Sequence, residues 1–307
     1  VKVLVAGATG AIGKHLIAAL RVAGHSIFAM VRSSDPRTLA GAGVEAVVAD
    51  ALDEAAVKDA ILRVGPDAII NELTSLPKRY TPEAMKAAAG RDANVRLTGN
   101  VNLLSAAAAA GVRRYILQSS GFWYAPGPGL AAESEPFAFD AAPGIAASAR
   151  TYAELEARLF EAAGIEQVVL RYGFFYGPGS WFTADADMGE QVRAGQVPII
   201  GEGRGTWSFV HLEDAARATA AALESAPGIY NIVDSNPSEQ RIWLPAFARA
   251  VGAGQPPRIT EEQALASAGP DAVYYAERLR GASNAKARAE LGFRPRPLEW
   301  LANTTAG

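Results

Sequence analysis

The 307-residue chain has no cysteine and only three histidines, His15, His25 and His211, far apart in sequence. Disulfides, thiolate metal sites and cysteine nucleophiles are therefore excluded, and no metal centre is expected. Long apolar runs are also lacking. The alanine-rich stretch Ser105 to Ala110 is far too short to cross a membrane. Neither sign of charge dominates: 29 Lys and Arg face 32 Asp and Glu, giving a net charge of −3. That balance argues against a nucleic-acid or anionic-membrane surface and leaves small molecules as the expected partners. Lysine is absent altogether between Lys86 and Lys286. A strand-like run begins at Lys2, which leaves no room ahead of it for a signal peptide and makes the cytoplasm the expected compartment. With half of its residues hydrophobic and one fifth charged, the chain reads as globular, either one large domain or two closely joined.

What is present is organised around Val3-Leu4-Val5-Ala6-Gly7-Ala8-Thr9-Gly10-Ala11-Ile12-Gly13, an apolar strand feeding a glycine-rich turn and then an amphipathic helix. Gly7 permits the tight exit, Gly10 lets the backbone approach phosphates and Gly13 lets the helix lie on the sheet. The helix N-terminus then faces an anion, so a dinucleotide is the implied ligand. Strand-like and helix-like segments alternate through the first half of the chain, with strands expected at 2–6, 26–31, 46–49, 68–71, 115–118 and 168–171. This predicts an α/β fold with a doubly wound parallel sheet of Rossmann type. Arg32 ends the second strand, where an arginine suits a 2′-phosphate, so NADP(H) is expected over NAD(H). Asp50 closes the third strand, where it is placed to face the adenine. Asp53 is placed to cap the helix from Glu54. The polar excursion Ser75 to Arg91, with Lys78, Arg79 and Lys86, reads either as a lid or as a solvated loop.

The chain resembles an extended short-chain dehydrogenase/reductase of the NAD-dependent epimerase/dehydratase type. Besides the three glycines, the resemblance rests on Asp50-Ala51-Leu52-Asp53, on Asn94 with Gly99 to Leu104, and on Arg113 to Ser120. It continues through Arg171 to Gly179, Phe209 to Ala216, and Ser283-Asn284-Ala285-Lys286 ahead of Leu291-Gly292-Phe293. It implies cofactor contacts from Gly7, Thr9, Gly10, Ala11, Ile12, Gly13, Arg32, Asp50, Ala51, Leu73, Tyr152 and Tyr172. It also implies a homodimer through the helices at 94–110 and 152–163. In the family a serine or threonine polarises the substrate oxygen and the tyrosine of a Tyr-x-x-x-Lys helix exchanges the proton. Ser120 and Tyr152 match these two residues, but Glu156 stands where the lysine belongs.

Residues four apart share a helix face, so Glu156 is expected where the family lysine would lie, a place that the resemblance implies is beside the nicotinamide ribose hydroxyls. A carboxylate there raises the pKa of a tyrosine, and even at an unperturbed value only about 0.1% of Tyr152 is phenolate at pH 7. Tyr152 is then a poor base but a usable proton donor, which favours reduction over alcohol oxidation. Three readings stay open. Glu156 binds the ribose hydroxyls itself, a cation from the 75–91 excursion folds over the site, or redox catalysis is lost and the cofactor serves sensing or scaffolding.

On the substrate side, Phe122, Trp123 and Tyr124 follow Ser120, Phe174 ends the sixth strand, and Trp181 lies just beyond. These aromatics suit a flat or apolar substrate. Trp207 stands where nucleotide-sugar relatives tend to carry a phosphate-binding arginine, which argues against such a substrate. His211 reads as structural, opening the helix at 212–223. A dinucleotide-binding domain is expected over 1–176, with 209–233 returning to it and 177–307 forming mainly a smaller substrate-binding domain. The resulting expectation is an NADP(H)-dependent reductase of a carbonyl or activated double bond in a small aromatic or apolar molecule, with Ser120, Tyr152 and Glu156 as catalytic residues. The alternatives are an epimerase or lyase that recycles its cofactor, and a non-catalytic NADP(H) sensor.

Overall fold

The computed structural model describes residues 1–32 and 43–302. In chain order the first elements are β1 (Lys2–Ala6), α1 (Gly13–Val22), β2 (Ser26–Val31), β3 (Glu45–Val48), α2 (Glu54–Val64), β4 (Ala68–Asn71), α3 (Pro82–Ala109), β5 (Arg114–Ser120), α4 (Pro143–Phe160) and β6 (Glu166–Tyr172). There follow β7 (Phe174–Tyr176), α5 (Asp187–Arg193), β8 (Ile199–Ile200), β9 (Thr206–Trp207), β10 (Phe209–His211), α6 (Leu212–Ala221), β11 (Gly228–Ile232), β12 (Ser238–Glu239), α7 (Gln240–Ala250), β13 (Arg258–Ile259), α8 (Glu261–Ala268), α9 (Pro270–Glu277), α10 (Ala285–Glu290) and α11 (Glu299–Ala302).

Seven strands form one sheet in the order β11-β6-β5-β4-β1-β2-β3, and every pairing in it is parallel. β1 connects outward to β2 on one side, and β4 lies on its other side. The strand order therefore reverses between β1 and β4, and ligands of such sheets bind at the carboxyl ends of the two strands flanking that point. The strands are nearly continuous runs of Val, Ile, Leu and Ala because both faces are covered. Leu16, Ile17 and Leu20 of α1 pack with Ala215 and Ala218 of α6 over one face. Leu103, Ala106 and Ala107 of α3 pack with Leu155 and Leu159 of α4 over the other. Within segment 209–233, β11 pairs with β6 in this sheet, whereas β10 pairs with β7 in a separate two-stranded sheet. A third apolar cluster, centred on Phe174, Phe182, Trp207, Phe209 and Trp243, joins β7, β9, β10 and α7.

Two local features differ from or settle the expectations. Helix α3 begins at Pro82, inside the expected excursion Ser75 to Arg91: Thr81 accepts from the Ala84 amide, proline occupies the first turn and Glu83 complements the dipole. The remaining loop, 72–81, is tied to α5 by a hydrogen bond from Arg79 to Asp187 and another from Gln191 to the Tyr80 carbonyl. Asp53 does cap α2 through the Ala56 amide, and His211 caps α6 through its Nδ1 and the Glu213 amide.

Candidate active site

The glycine turn is built as its sequence requires. Gly7 has φ +89°, and a Cβ on it would lie 2.4 Å from the Glu72 carbonyl oxygen. A Cβ on Gly13 would lie 2.1 Å from the Ala8 carbonyl oxygen, so this helix start can approach the turn only without a side chain. Gly10 is different: its Cβ would meet only the Gly7 carbonyl oxygen, at 3.2 Å. The space above Gly10 is therefore left open by the protein, and Thr9, Gly10 and Ala11 are exposed while Ile12 is buried. A dinucleotide pyrophosphate fits this cradle at the switch point. Across the cleft, His15 hydrogen bonds the Pro178 carbonyl at 3.0 Å and brings the segment after β7 over the turn.

Of the other expected cofactor residues, Arg32, Asp50, Ala51, Leu73 and Tyr172 lie at or just after the carboxyl ends of β2, β3, β4 and β6. Arg32 is exposed at the end of β2. The Asp50 carboxylate accepts from the Leu52 amide at 3.0 Å, closing its own turn. The Ala51 carbonyl accepts from Asn102 at 2.9 Å, and the Leu73 amide donates to Asn71 at 3.1 Å. Gly99 lets α3 close on both loops, since a Cβ there would lie 2.9 Å from Leu73 and 3.3 Å from Ala51. Tyr172 departs from expectation. It is 2% exposed and its hydroxyl contacts Glu72 at 2.8 Å and Thr219 at 2.6 Å, so its polar end is engaged with buried groups.

The proton count of that three-residue chain favours a neutral Glu72. The Thr219 hydroxyl also donates to the Ala215 carbonyl at 2.7 Å, so three short contacts share the protons of two hydroxyls. With Glu72 ionised one contact lacks a proton, whereas a neutral carboxyl supplies the third. Burial drives the Glu72 pKa the same way, up to about 8, against smaller downward effects of the Tyr172 hydroxyl and the Arg96 charge.

Of the expected catalytic residues, Ser120 and Tyr152 are buried at the carboxyl end of β5 and on the inner face of α4. The Ser120 hydroxyl accepts a long contact, 3.4 Å, from the Phe122 amide. Glu156 requires a correction. Its two oxygens accept from Arg171 at 2.8 and 2.6 Å, and Oε1 also accepts from Ser119 at 2.6 Å. The carboxylate is locked beneath the site by a cation fifteen positions away and is not free for a ribose. The cation that does reach Tyr152 is Arg96 of α3, with its guanidinium carbon 4.9 Å from the ring centroid. Burial pushes the Tyr152 pKa up to about 12; the Arg96 charge opposes this, and Asp92 and Glu72 add to it. With its pKa so raised, Tyr152 is a neutral phenol at physiological pH.

On the side where substrate residues are expected, a row of packed aromatic rings leads away from Tyr152, with Phe174 and Trp207 buried in the third apolar cluster. Trp123 lies 5.2 Å from Tyr152, Phe122 stacks on Phe174 at 4.1 Å, and Phe174 stacks on Trp207 at 4.2 Å. Tyr275 closes the wall, accepting from the Trp123 indole at 3.2 Å and lending its carbonyl to the Trp207 indole at 2.9 Å. Trp181 stands against Tyr80 at 4.8 Å. Tyr124 does not belong here: it is fully buried, donates to Asn231 at 2.6 Å and accepts from Arg171 at 2.8 Å, so its role is in packing. Sequence reading missed Glu72, Arg96 and Tyr275. Two other surface clefts, of about 670 and 780 Å³, lie between the 125–142 segment and helices α8 and α9 and contain none of these groups. Among the described residues no cluster of three metal-ligating side chains occurs, and no helix is long and apolar enough to cross a membrane.

A switch-point glycine turn beside a buried serine and tyrosine defines a Rossmann enzyme that binds a nicotinamide dinucleotide. Residues 3–233 match the NAD dependent epimerase/dehydratase family, and the chain belongs to it. A 3-diazoavenalumate denitrifying reductase from a Streptomyces species is 39% identical over 302 residues, covering 97% of each chain. A dTDP-4-dehydro-6-deoxy-D-allose reductase, also from a Streptomyces species, is 30% identical over 73% of this chain and 72% of its own. In fold, the chain is similar to the Thermus thermophilus UDP-glucose 4-epimerase solved with NAD. That likeness has a TM-score of 0.73 and 24% identity, over 96% of this chain and 94% of the other. These comparisons support a nicotinamide-dependent oxidoreductase.

Proposed function

We propose that the chain is an NADPH-dependent reductase of a small aromatic molecule, and that the group it reduces is a diazo group, released as dinitrogen. The observation that carries this reading is the continuous wall from Tyr152 through Trp123, Phe122 and Phe174 to Trp207. Stacked rings of this kind favour a flat apolar body. An indole, already donating to a backbone carbonyl, stands where a phosphate-binding arginine is expected in nucleotide-sugar relatives. The full-length likeness to the denitrifying reductase supplies the diazo group.

When bound, the reduced nicotinamide supplies a hydride. The rest of the balance falls to the protein: in a neutral diazo group conjugated to a ring oxygen, the ring carbon takes the hydride, the C–N bond breaks with its pair leaving on dinitrogen, and the ring oxygen takes one proton. Tyr152, a neutral phenol next to the wall, is the donor, and Ser120 orients the reacting end of the substrate. The glycine turn holds the pyrophosphate, and Arg32 meets the 2′-phosphate. Reduction of a carbonyl or activated double bond is the second reading, favoured by the retention of both Ser120 and Tyr152. The test is NADPH consumption against matched aryl diazo, ketone and enone acids. The proposal expects turnover with the diazo compound and a preference for NADPH over NADH that Arg32→Ala reduces. Turnover confined to ketones or enones overturns the diazo assignment, and an unchanged preference overturns the Arg32 assignment.

A further inference from the structure

The chain lacks any lysine between Lys86 and Lys286, and the residue one turn after Tyr152, Glu156, is locked to Arg171. A tyrosine that gives up its proton in a buried site still needs a nearby positive charge, because the phenolate left behind is otherwise desolvated and unpaired. We propose that Arg96 is that charge: a positioning residue on α3 whose guanidinium stands over the Tyr152 ring and does the electrostatic work of the missing lysine.

Arg96 is held where this role requires it. It is 4% exposed, and its Nε donates to Asp92 at 2.7 Å. Asp92 in turn accepts from the Ser75 amide, tying the pair to the loop after β4. One turn along α3, Asn100 accepts from Asn71 at 3.0 Å and from the Tyr115 hydroxyl at 2.8 Å, which pins the helix to β4 and β5. The helix can approach this closely because Gly99 carries no side chain. Neither Nη1 nor Nη2 of Arg96 has a hydrogen-bond partner among the described residues. The donors on both of those nitrogens serve no protein group. Stacked on an aromatic face, the guanidinium places its charge against the ring that carries the transferable proton.

The ionisable groups facing Tyr152 are Arg96 and Asp92 from α3, Glu72 after β4 and Tyr275 from α9. Arg96 is the one cation among them. A neutral Glu72 leaves Asp92 as the opposing charge, and Asp92 is paired with Arg96 itself. The arrangement differs from a lysine on α4 in one physical respect. A guanidinium stays protonated throughout the working pH range, so the site keeps its positive charge where an ammonium could lose it.

The inference rests on Tyr152 as the proton donor of the proposed reduction, but its test does not require turnover. Tyr152 is replaced by a fluorinated tyrosine, whose lower intrinsic pKa brings its titration into the range the fold tolerates. Its midpoint is then read by ¹⁹F NMR in cofactor-free protein. Arg96→Gln, and Arg96→Met for the case in which glutamine does not fold, should raise the midpoint by about one unit or more. Arg96→Lys should restore it to within about half a unit. In enzyme carrying the natural tyrosine, the same neutral variants should lower kcat more than they raise KM, with partial rescue by lysine. A folded neutral variant whose Tyr152 midpoint matches wild type overturns the proposal, as does a lysine variant that shifts as far as the neutral ones. Loss of turnover with the expected midpoint shifts contradicts neither the placement of Arg96 nor its charge effect, so the two readings fail separately.

Discussion

Glu156 of α4 and Arg171 of β6 form a buried two-pronged ion pair, with Nε to Oε1 at 2.8 Å and Nη2 to Oε2 at 2.6 Å. The pair turns a carboxylate at the position of the family lysine into an internal structural element. Its charge is neutralised before it can act on Tyr152. Restoring the family residue should therefore harm the protein: Glu156→Lys places two cations together in the core and should lower stability by about 3–5 kcal/mol, as removal of one buried partner does. Urea denaturation measures this. A Glu156→Lys variant as stable as wild type would show that the carboxylate is free in solution.

The glycines of the first turn should separate binding from folding. Gly10→Ala meets only one protein atom, at 3.2 Å, so it should leave the melting temperature near wild type while NADPH affinity falls at least tenfold. Gly13→Ala drives a methyl into the Ala8 carbonyl and should destabilise the fold. Thermal denaturation and cofactor titration on the two variants check both statements. Equal cofactor affinity in wild type and Gly10→Ala would remove the pyrophosphate from this turn.

Glu72 gives a pH dependence whose sign follows from its neutral buried state. Its pKa is raised from 4.5 to about 8 on folding, so between these values the folded protein holds a proton that the unfolded chain has released. Stability from this group is therefore fully present below about pH 4.5, declines as pH rises, and is lost once pH passes about 8. The slope from one proton is at most ~1.4 kcal/mol per pH unit. Glu72→Gln, whose amide can donate to Tyr172 as the neutral carboxyl does and cannot ionise, should flatten this part of the stability profile and raise stability at pH 8 relative to wild type. Parallel profiles for the two proteins between pH 5 and 8 would mean that Glu72 is already ionised at the lower end.

The aromatic wall and the Tyr124 cluster should respond differently to substitution. Phe122→Ala opens the wall beside Phe174 and should raise KM for an aromatic substrate about tenfold, with little change in KM for a small aliphatic ketone. Tyr124→Phe removes a hydroxyl that serves Asn231 and Arg171. It should reduce stability by about 1–3 kcal/mol and leave KM unchanged. A raised KM in Tyr124→Phe would return this residue to the substrate side.

Local chemistry made much of this molecule legible in its sequence. The glycine spacing, the Asp53 cap, the parallel sheet and the aromatic segments each follow from neighbouring residues, and the structure contains them. Even the early start of α3 was written in Thr81-Pro82-Glu83, a cap, a first-turn proline and a first-turn acid, although Gly90 and the charges around it read as loop. The misplaced residues were those decided by distant partners. Helical spacing placed Glu156 on the face of Tyr152 but could not show that Arg171, on a strand beyond the next loop, would take both of its oxygens. Arg96 lies within a motif-bearing helix, yet nothing local marks a single arginine as the one that reaches Tyr152, because that contact depends on how α3 seats against α4. Tyr124 and Tyr172 lie next to residues of the cleft and point away from it, their hydroxyls drawn to Asn231 and to Glu72 and Thr219.

The most direct test of the proposed chemistry is the stoichiometry of dinitrogen released to NADPH oxidised, measured with an isotopically labelled aryl diazo acid in wild type and in Tyr152→Phe. One dinitrogen per NADPH in wild type, with turnover reduced at least a hundredfold in the phenylalanine variant, is the expected result. NADPH oxidation without dinitrogen, or equal turnover in the two proteins, would contradict it.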